Sequence, residues 1–391
     1  MTTPYEDYLQ QLELDFERPD CLSNKVKLCS YLVCCGATVE LGGYERDDKD
    51  LRTGNSGLQL LVGHPQLRAL IPTAHMNDEN PVMIRGNAGG QAVLEYAGMS
   101  FFPVEVLPEQ NTGNTTISAE FDTLITAIPN EPYGVRSCHF HKLQSPCAFC
   151  VLTEKSMPLG PPDLVAAYDK VTAGSGRAPQ VLLTGGTEPS ADRGLAKYLP
   201  YVVELRREFP DARVAIEASP PEDPSSLDPL IEAGMDTFAA NIEFYSEQTR
   251  RDLLPAKSSI PLHAYSNALS YCNRAGVRTF SAVIAGPEGD ADTIRAVEFL
   301  ADAGTPTNFL CLRPFPGAVL ADSPRVNPSW YLRMTYEANA VMARHGLLDD
   351  LAGTAGCGSC GACSMEMNLY RLAQHQDTAN VAEECPWVAT S

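Results

Sequence analysis

The fifteen residues RSCHFHKLQSPCAFC, Arg136 to Cys150, hold three cysteines and two histidines. Cys138 is followed by eight residues, then Cys147, then two residues and Cys150. Thiols and imidazoles packed this closely are metal ligands by their chemistry. Three thiolates with His139 or His141 complete a tetrahedral zinc site. Three thiolates alone hold a four-iron cluster and leave one iron without a protein ligand, free to chelate the amino and carboxylate groups of a methionine moiety. The loop by itself leaves both readings open, and the two histidines equally suit packing or hydrogen bonding within it.

A second group, AGCGSCGACSMEM, places Cys357, Cys360 and Cys363 at two successive two-residue gaps among glycines. This spacing lets the backbone wrap one face of an iron–sulfur cluster, with Cys385 as a candidate fourth ligand. Cys21, Cys29, Cys34 and Cys35 fit no common metal spacing and read as small buried thiols. Cys272 and Cys311 are scattered.

The whole chain bounds what such sites can serve. It has 391 residues, 44% of them hydrophobic, enough for two or three domains or one large barrel with additions. Thirteen cysteines with CxxC spacing indicate metal or redox chemistry in a reducing compartment. The formal charge of −20 and the lack of a Lys/Arg run disfavour nucleic acid as a partner. No run of about eighteen apolar residues exists to span a membrane. The acidic opening MTTPYEDYLQQLELDFERPD carries no basic-then-apolar signal, so a cytoplasmic location is expected.

The elements that must position the cysteines follow from local pattern. Residues 1–118 form a β-rich N-terminal domain: VKLCSYLVCCGATVELGGY and PVMIRGNAGGQAVLEYAGMSFFPVEVLP read as strands and turns, and ERDDKDLRTGNSG as a polar loop. Residues 119–346 alternate strands and helices. TLITAI, QVLLTGG, RVAIEASP, DTFAANIEF, VRTFSAVIAG and TNFLCLRPFPG are the six strands, with helices between them and PSWYLRMTYEANAVMARHG after the last. Pro200 kinks or divides the second helical stretch. The alternation predicts an α/β fold, a partial (β/α)6 barrel, whose functional loops lie at the C-terminal ends of the strands. The cysteine loop, TGGTEP, EASP, NIEFYSE, AGPEG and RPFPG all fall there. Residues 347–391 form a C-terminal extension with the second cysteine group and a polar tail of no clear periodicity.

In this order the motifs of residues 119–346 resemble the radical S-adenosylmethionine (SAM) superfamily, particularly the small-barrel group that includes biotin synthase. An aromatic residue, Phe149, precedes the last cysteine, as is common there. TGGTEP is similar to the family's glycine–glycine–glutamate motif, AANIEF to its fourth-strand segment, AVIAGPEG to its fifth and LRPFPG to its sixth. The eight-residue gap departs from the usual three, and a widened gap also occurs in the Elongator catalytic subunit.

The resemblance implies that Cys138, Cys147 and Cys150 ligate a SAM-binding [4Fe-4S] cluster, and that Gly185, Gly186, Thr187 and Glu188 hold the methionine end of SAM. It makes Glu217, Asn241 and Glu243 candidates for methionine or ribose contacts, and Arg251 or Lys257 a partner for the SAM carboxylate. Reductive cleavage of SAM then yields a 5′-deoxyadenosyl radical that activates a C–H bond. The substrate is a small molecule or peptide in a biosynthetic pathway, with sulfur insertion or skeletal rearrangement both open. An external donor such as flavodoxin or ferredoxin supplies the electron, and Cys357, Cys360 and Cys363 hold a second Fe-S cluster. No single catalytic side chain is singled out. Two other readings stand beside this one: aminocarboxypropyl transfer by cleavage of the other SAM carbon–sulfur bond, and a zinc-stabilised binding protein.

Overall fold

The computed structural model describes residues 4–43, 57–87, 90–130, 137–151 and 159–374. The polar loop expected at residues 45–57 falls, except for Gly57, outside the described residues, as does Cys385. Among the described residues no helix is long and apolar enough to cross a membrane.

Two sheets organise the chain. The first comprises β1 (Thr38–Gly42), β2 (Gly57–Val62), β3 (Leu67–Pro72), β4 (Met83–Asn87), β5 (Gln91–Tyr96) and β6 (Met99–Val106), in the order β1-β4-β5-β6-β2-β3. The second comprises β7 (Ile117–Glu120), β8 (Thr123–Ala127), β9 (Gln180–Thr184), β10 (Val214–Glu217), β11 (Thr237–Ala239), β12 (Arg278–Ala285) and β13 (Thr307–Cys311), in strictly sequential order. β8 to β13 run parallel, and β7 pairs antiparallel with β8. With helices between consecutive parallel strands, this sheet is the partial β/α barrel expected from the alternation. Its strands are nearly all buried because helices cover one face and the barrel interior the other.

Three local expectations change. The stretch around VKLCSYLVCC, read as strand, is a helix, Leu22–Cys35, with eleven of its fourteen residues buried. A helix enclosed on all sides loses the apolar/polar period that would reveal it. Its ends are defined: the Cys21 sulfur accepts from the Asn24 amide at 3.4 Å, and Gly36 stops it at φ +74°. The tail expected to lack periodicity contains the helix Glu366–Gln374, which buries Met367, Leu369 and Leu372. The fourth barrel strand is also shorter than DTFAANIEF; its chain rejoins the sheet only as a bridge from Glu243 to Val283. Pro200 falls in the first turn of Leu199–Glu208, where its missing N–H has no helical partner to lose.

The C-terminal segment enters the barrel from the N-terminal ends of the strands. The Ala355 amide donates to Thr237 Oγ1 and the Gly356 amide to Gln180 Oε1, each at 2.8 Å, and Ala355 packs on Ile125, Leu182 and Ala215. Further on, Ser364 bridges Leu310 of β13, and the Leu70 amide of β3 donates to Ala362 O at 2.8 Å. On the opposite edge, Gln59 of β2 bonds Ala119 O at 3.1 Å and the Phe121 amide at 2.5 Å. The first sheet therefore reaches both edges of the barrel sheet and closes its open side, with the cysteine segment as part of the seam.

Gly356 turns inside this seam at φ +73°, ψ −143°, a region open essentially to glycine, and a Cβ there would lie 3.2 Å from Ala215 Cβ. Gly356→Ala should destabilise the protein by roughly 1–3 kcal/mol, read as a lower urea midpoint at unchanged m-value.

Candidate functional site

The start of the cysteine loop is built onto the turn after β9. A Cβ on Gly186 would lie 1.9 Å from Ser137 O and 2.6 Å from Cys138 Cβ, so only glycine allows the two backbones to touch. Buried Asn130 ties them, its amide donating to Ser137 O at 2.7 Å and Gly186 O at 2.8 Å. The His139 amide donates to Thr187 O at 2.8 Å, and the Thr187 and Ser219 hydroxyls bond at 2.7 Å, linking the next strand end. The loop's far end is seated equally firmly. The Ala148 amide donates to Leu253 O at 2.7 Å, the Leu320 amide to Ala148 O at 3.0 Å, and Phe149 packs edge-on against Phe244 at 6.2 Å.

This double anchoring keeps Cys138, Cys147 and Cys150 within electrostatic reach of one another. Burial pushes both the Cys147 and Cys150 thiols up to about 12. They become thiolates only when a cation compensates the buried charge, and metal binding then releases their protons. Among the described residues no three or more His, Cys, Asp or Glu side chains close around one metal ion. Ligands of a polynuclear cluster bind separate irons, and so stand farther apart than ligands of a single ion.

Beside the thiols lies a buried acid–base group from the ends of β10 and β11. Lys257 Nζ contacts Glu243 Oε1 at 2.5 Å and Asn241 O at 3.0 Å. Burial pulls the Lys257 ammonium down, but the adjacent Glu243 carboxylate outweighs it and holds the lysine charged. Burial raises Glu243, with Lys257 opposing, and Glu243 Oε2 is buried without a hydrogen-bond partner. Burial also raises Glu217, against the pull of Lys257 and a hydrogen bond from the Asn241 side chain. Asn241 Oδ1 meanwhile accepts from the Ala282 amide at 2.9 Å, coupling this group to β12.

The expected residues therefore divide. Gly185, Gly186, Thr187, Glu217, Asn241 and Glu243 gather at the C-terminal strand ends with the three cysteines. Glu188 is also there, its Oε1 buried without a hydrogen bond, 3.8 Å from Lys197. Arg251 does not join them: it lies on the exposed face of Glu247–Leu253, paired with Glu247 at 2.6 Å, because the helix turns it outward. Lys257 is the cation that faces inward. His139 and His141 sit on the short helix after Cys138, and the Nδ1 of His139 is buried without a hydrogen bond.

Other residues of the site are not singled out by the sequence, although Glu288 lies within the AGPEG loop. Lys197 reaches under the glycine turn, donating to Gly186 O at 2.7 Å and contacting Asn130 Oδ1. Burial lowers it to about 8. Buried Arg250 clamps Ile242 O at 3.0 Å and Ile260 O at 2.7 Å. Glu288 accepts from the Tyr245 and Ser246 amides, fastening the AGPEG loop to the fourth-strand segment. Their contacts lie eight or more residues away along the chain, beyond the reach of local pattern.

The second cysteine group lies in the seam on the barrel's open side, running from the N-terminal ends of β9 and β11 to Leu310 of β13. Cys357, Cys360 and Cys363 are also within electrostatic reach of one another, and burial pushes Cys360 up to about 12. Arg68 donates to Cys360 O at 3.5 Å and Arg313 to Cys363 O at 3.4 Å, so two guanidinium groups border this turn.

No family model matches the chain, and no curated protein matches it. Solved structures similar to it include coproporphyrinogen III oxidase (HemN) from Escherichia coli, described as a radical SAM enzyme, at 17% identity and TM-score 0.39 over 57% of this chain and 52% of that one. The radical S-adenosylmethionine methyltransferase TsrM from Kitasatospora setae, solved with tryptophan substrate and a SAM analogue, is 16% identical, TM-score 0.36, over 50% and 37%. SuiB from Streptococcus suis, solved with S-adenosylmethionine, is 12% identical, TM-score 0.42, over 57% and 48%. The match spans about half the length of these proteins or less.

Gly186→Ala should push the Cys138 backbone away and lower the metal content per chain, measured with Cys357, Cys360 and Cys363 changed to Ser. Lys197 gives a pH signature. Its folded value of about 8 lies below the ordinary 10.5, so between these values the unfolded chain holds more protons there and stability contributed by this residue rises with pH. Denaturant titrations against Lys197→Met should show this rise as a difference confined to that window.

Proposed function

We propose that this protein is a radical SAM enzyme, which reductively cleaves S-adenosylmethionine at a [4Fe-4S] cluster held by Cys138, Cys147 and Cys150. The contact of Gly186 with Ser137 and Cys138 carries the reading: it places the glycine motif against the first thiol at the C-terminal end of the barrel. The orphaned, buried oxygens of Glu188 and Glu243 fit the same ligand, because each needs a donor and SAM brings an ammonium and two ribose hydroxyls.

The cluster, when bound, supplies one electron to the sulfonium of SAM. The chain's own groups bind and orient. The Gly185–Gly186 backbone, Thr187 and Glu188 receive the amino end of the methionine moiety. Glu217, Asn241 and Glu243 line the methionine and ribose side, and Lys257 holds Glu243 as a charged acceptor while offering a cation to the SAM carboxylate. Lys197 and Asn130 fix the carbonyl of Gly186 and so the turn. Fixed positioning matters because a primary alkyl radical attacks whatever lies nearest. Cys357, Cys360 and Cys363 hold a second Fe-S cluster in the seam on the barrel's open side.

The substrate is a small molecule or a peptide, in keeping with an acidic surface that repels nucleic acid, and the setting is the cytoplasm, where thiols stay reduced. The electron comes from an external donor such as flavodoxin or ferredoxin. The chain divides into residues 1–118, which close the barrel's side, residues 119–346, which carry SAM chemistry, and residues 347–391, which carry the second cluster. The reaction that follows hydrogen abstraction is sulfur insertion or skeletal rearrangement, both open.

The test incubates anaerobically purified, reduced protein with SAM. The expected product is 5′-deoxyadenosine, abolished by Cys147→Ala and retained by Cys360→Ala. Methylthioadenosine in its place assigns the other carbon–sulfur bond and aminocarboxypropyl transfer. Colourless, zinc-loaded protein without either product would sink the enzyme reading in favour of a binding protein.

A further inference from the structure

A four-iron cluster offers about one ligand position more than the C-terminal segment fills with Cys357, Cys360 and Cys363. Glu120 is the side chain best placed for it. It closes β7 opposite Thr123, at the barrel end where the C-terminal segment enters. The next residue, Phe121, packs against the cluster of Leu70, Cys360 and Ala362, as does Cys363. Glu120 is only 9% exposed, and its Oε1 is buried without a hydrogen-bond partner. Its charge lies within electrostatic reach of the Cys357 and Cys363 thiols.

Of the other charged groups around the cysteine segment, Glu366 accepts from the Ser364 hydroxyl at 2.7 Å, although its Oε2 is buried without a hydrogen bond, and Arg371 donates to Ser359 O. Arg313 donates through Nε to Val33 O at 3.2 Å and through Nη2 to Cys363 O at 3.4 Å. Arg68 pairs with Asp122 at 3.3 Å, which neutralises the half-exposed Asp122. Glu217, the other acid whose charge reaches Cys357, takes a hydrogen bond from Asn241. A buried carboxylate oxygen without a hydrogen-bond donor is costly even with the charge of Arg313 in reach, and bonding to a metal satisfies it.

We propose that Glu120 supplies the remaining protein ligand, through its carboxylate, to the iron–sulfur cluster held by Cys357, Cys360 and Cys363. This assignment rests on the second-cluster reading above. Formation of the oxygen–iron bond releases the carboxyl proton to solvent and moves no electron. Glu120 thereby ties the edge of the barrel sheet to the C-terminal segment.

The test uses the full chain carrying Cys138→Ser, Cys147→Ser and Cys150→Ser, so that iron bound anaerobically belongs to the C-terminal group. Mössbauer spectra should show about one oxygen-ligated iron for three sulfur-ligated ones. Glu120→Gln should lose that subsite and, on ferricyanide oxidation, release about one iron in four. Glu120→Cys should keep all its iron, with every subsite sulfur-ligated. Spectra of parent and Glu120→Gln that coincide overturn the assignment, as does the same loss appearing in Cys385→Ser instead. A parent that binds no iron defeats the second-cluster reading itself, and the assignment with it. Should the triple variant not fold, the comparison is read as the difference spectrum between Glu120→Gln and the otherwise unaltered chain.

Discussion

The backbone of Gly186 rests directly on Ser137 and Cys138, and this contact sets the geometry of everything at the upper end of the barrel. With no side chain between them, the turn after β9 and the first thiol of the cysteine loop become one object, bonded through Asn130 and through the His139 amide. A long loop between Cys138 and Cys147 would otherwise carry considerable entropy. Here both of its ends are pinned to barrel strands or to the loops that follow them, which explains how a widened spacing can still deliver three thiols to one place.

Charge is handled differently around the two cysteine groups. Near the first cysteine group the protein buries an ion pair, Lys257 with Glu243, at 9% and 7% exposure. Such a pair gives little net stability, because desolvation offsets the attraction. Its value lies in holding an acceptor oxygen and a cation at fixed positions next to thiols that need positive charge to ionise. In the seam the cations Arg68 and Arg313 point at carbonyl groups of the cysteine turn itself. They stabilise the turn's shape and leave Glu120 Oε1 without a hydrogen-bond donor.

The N-terminal sheet has a structural role that its composition does not announce. A half-open barrel exposes two strand edges and an apolar interior. The first sheet reaches β7 through Gln59, and reaches β13 through the C-terminal segment, so both edges are met without a continuous ladder. Because the second cysteine group lies in that seam, the stability of its turn depends on three separate regions of the chain. The buried helix Leu22–Cys35 backs this closure: Ser30 bonds Pro328 O at 3.0 Å, and the Cys311 sulfur lies 3.5 Å from Val33 O.

Read alone, the sequence determined the alternation of six parallel strands with helices, the two cysteine groups, and the glycine turn and acids at the strand ends. These are local signals: hydrophobic period, turn residues and short ligand spacing survive in one dimension. It misread Leu22–Cys35, because burial on every side erases the helical period, and it placed Arg251 among the site residues, because proximity in sequence says nothing of which way a helix faces. Only the tertiary structure brought Lys197 and Asn130 beneath Gly186, paired Lys257 with Glu243, and drew the C-terminal cysteines into the barrel's seam beside Glu120. Those relations join residues far apart along the chain, and they exist only once the sheet has curled and its open side has been closed.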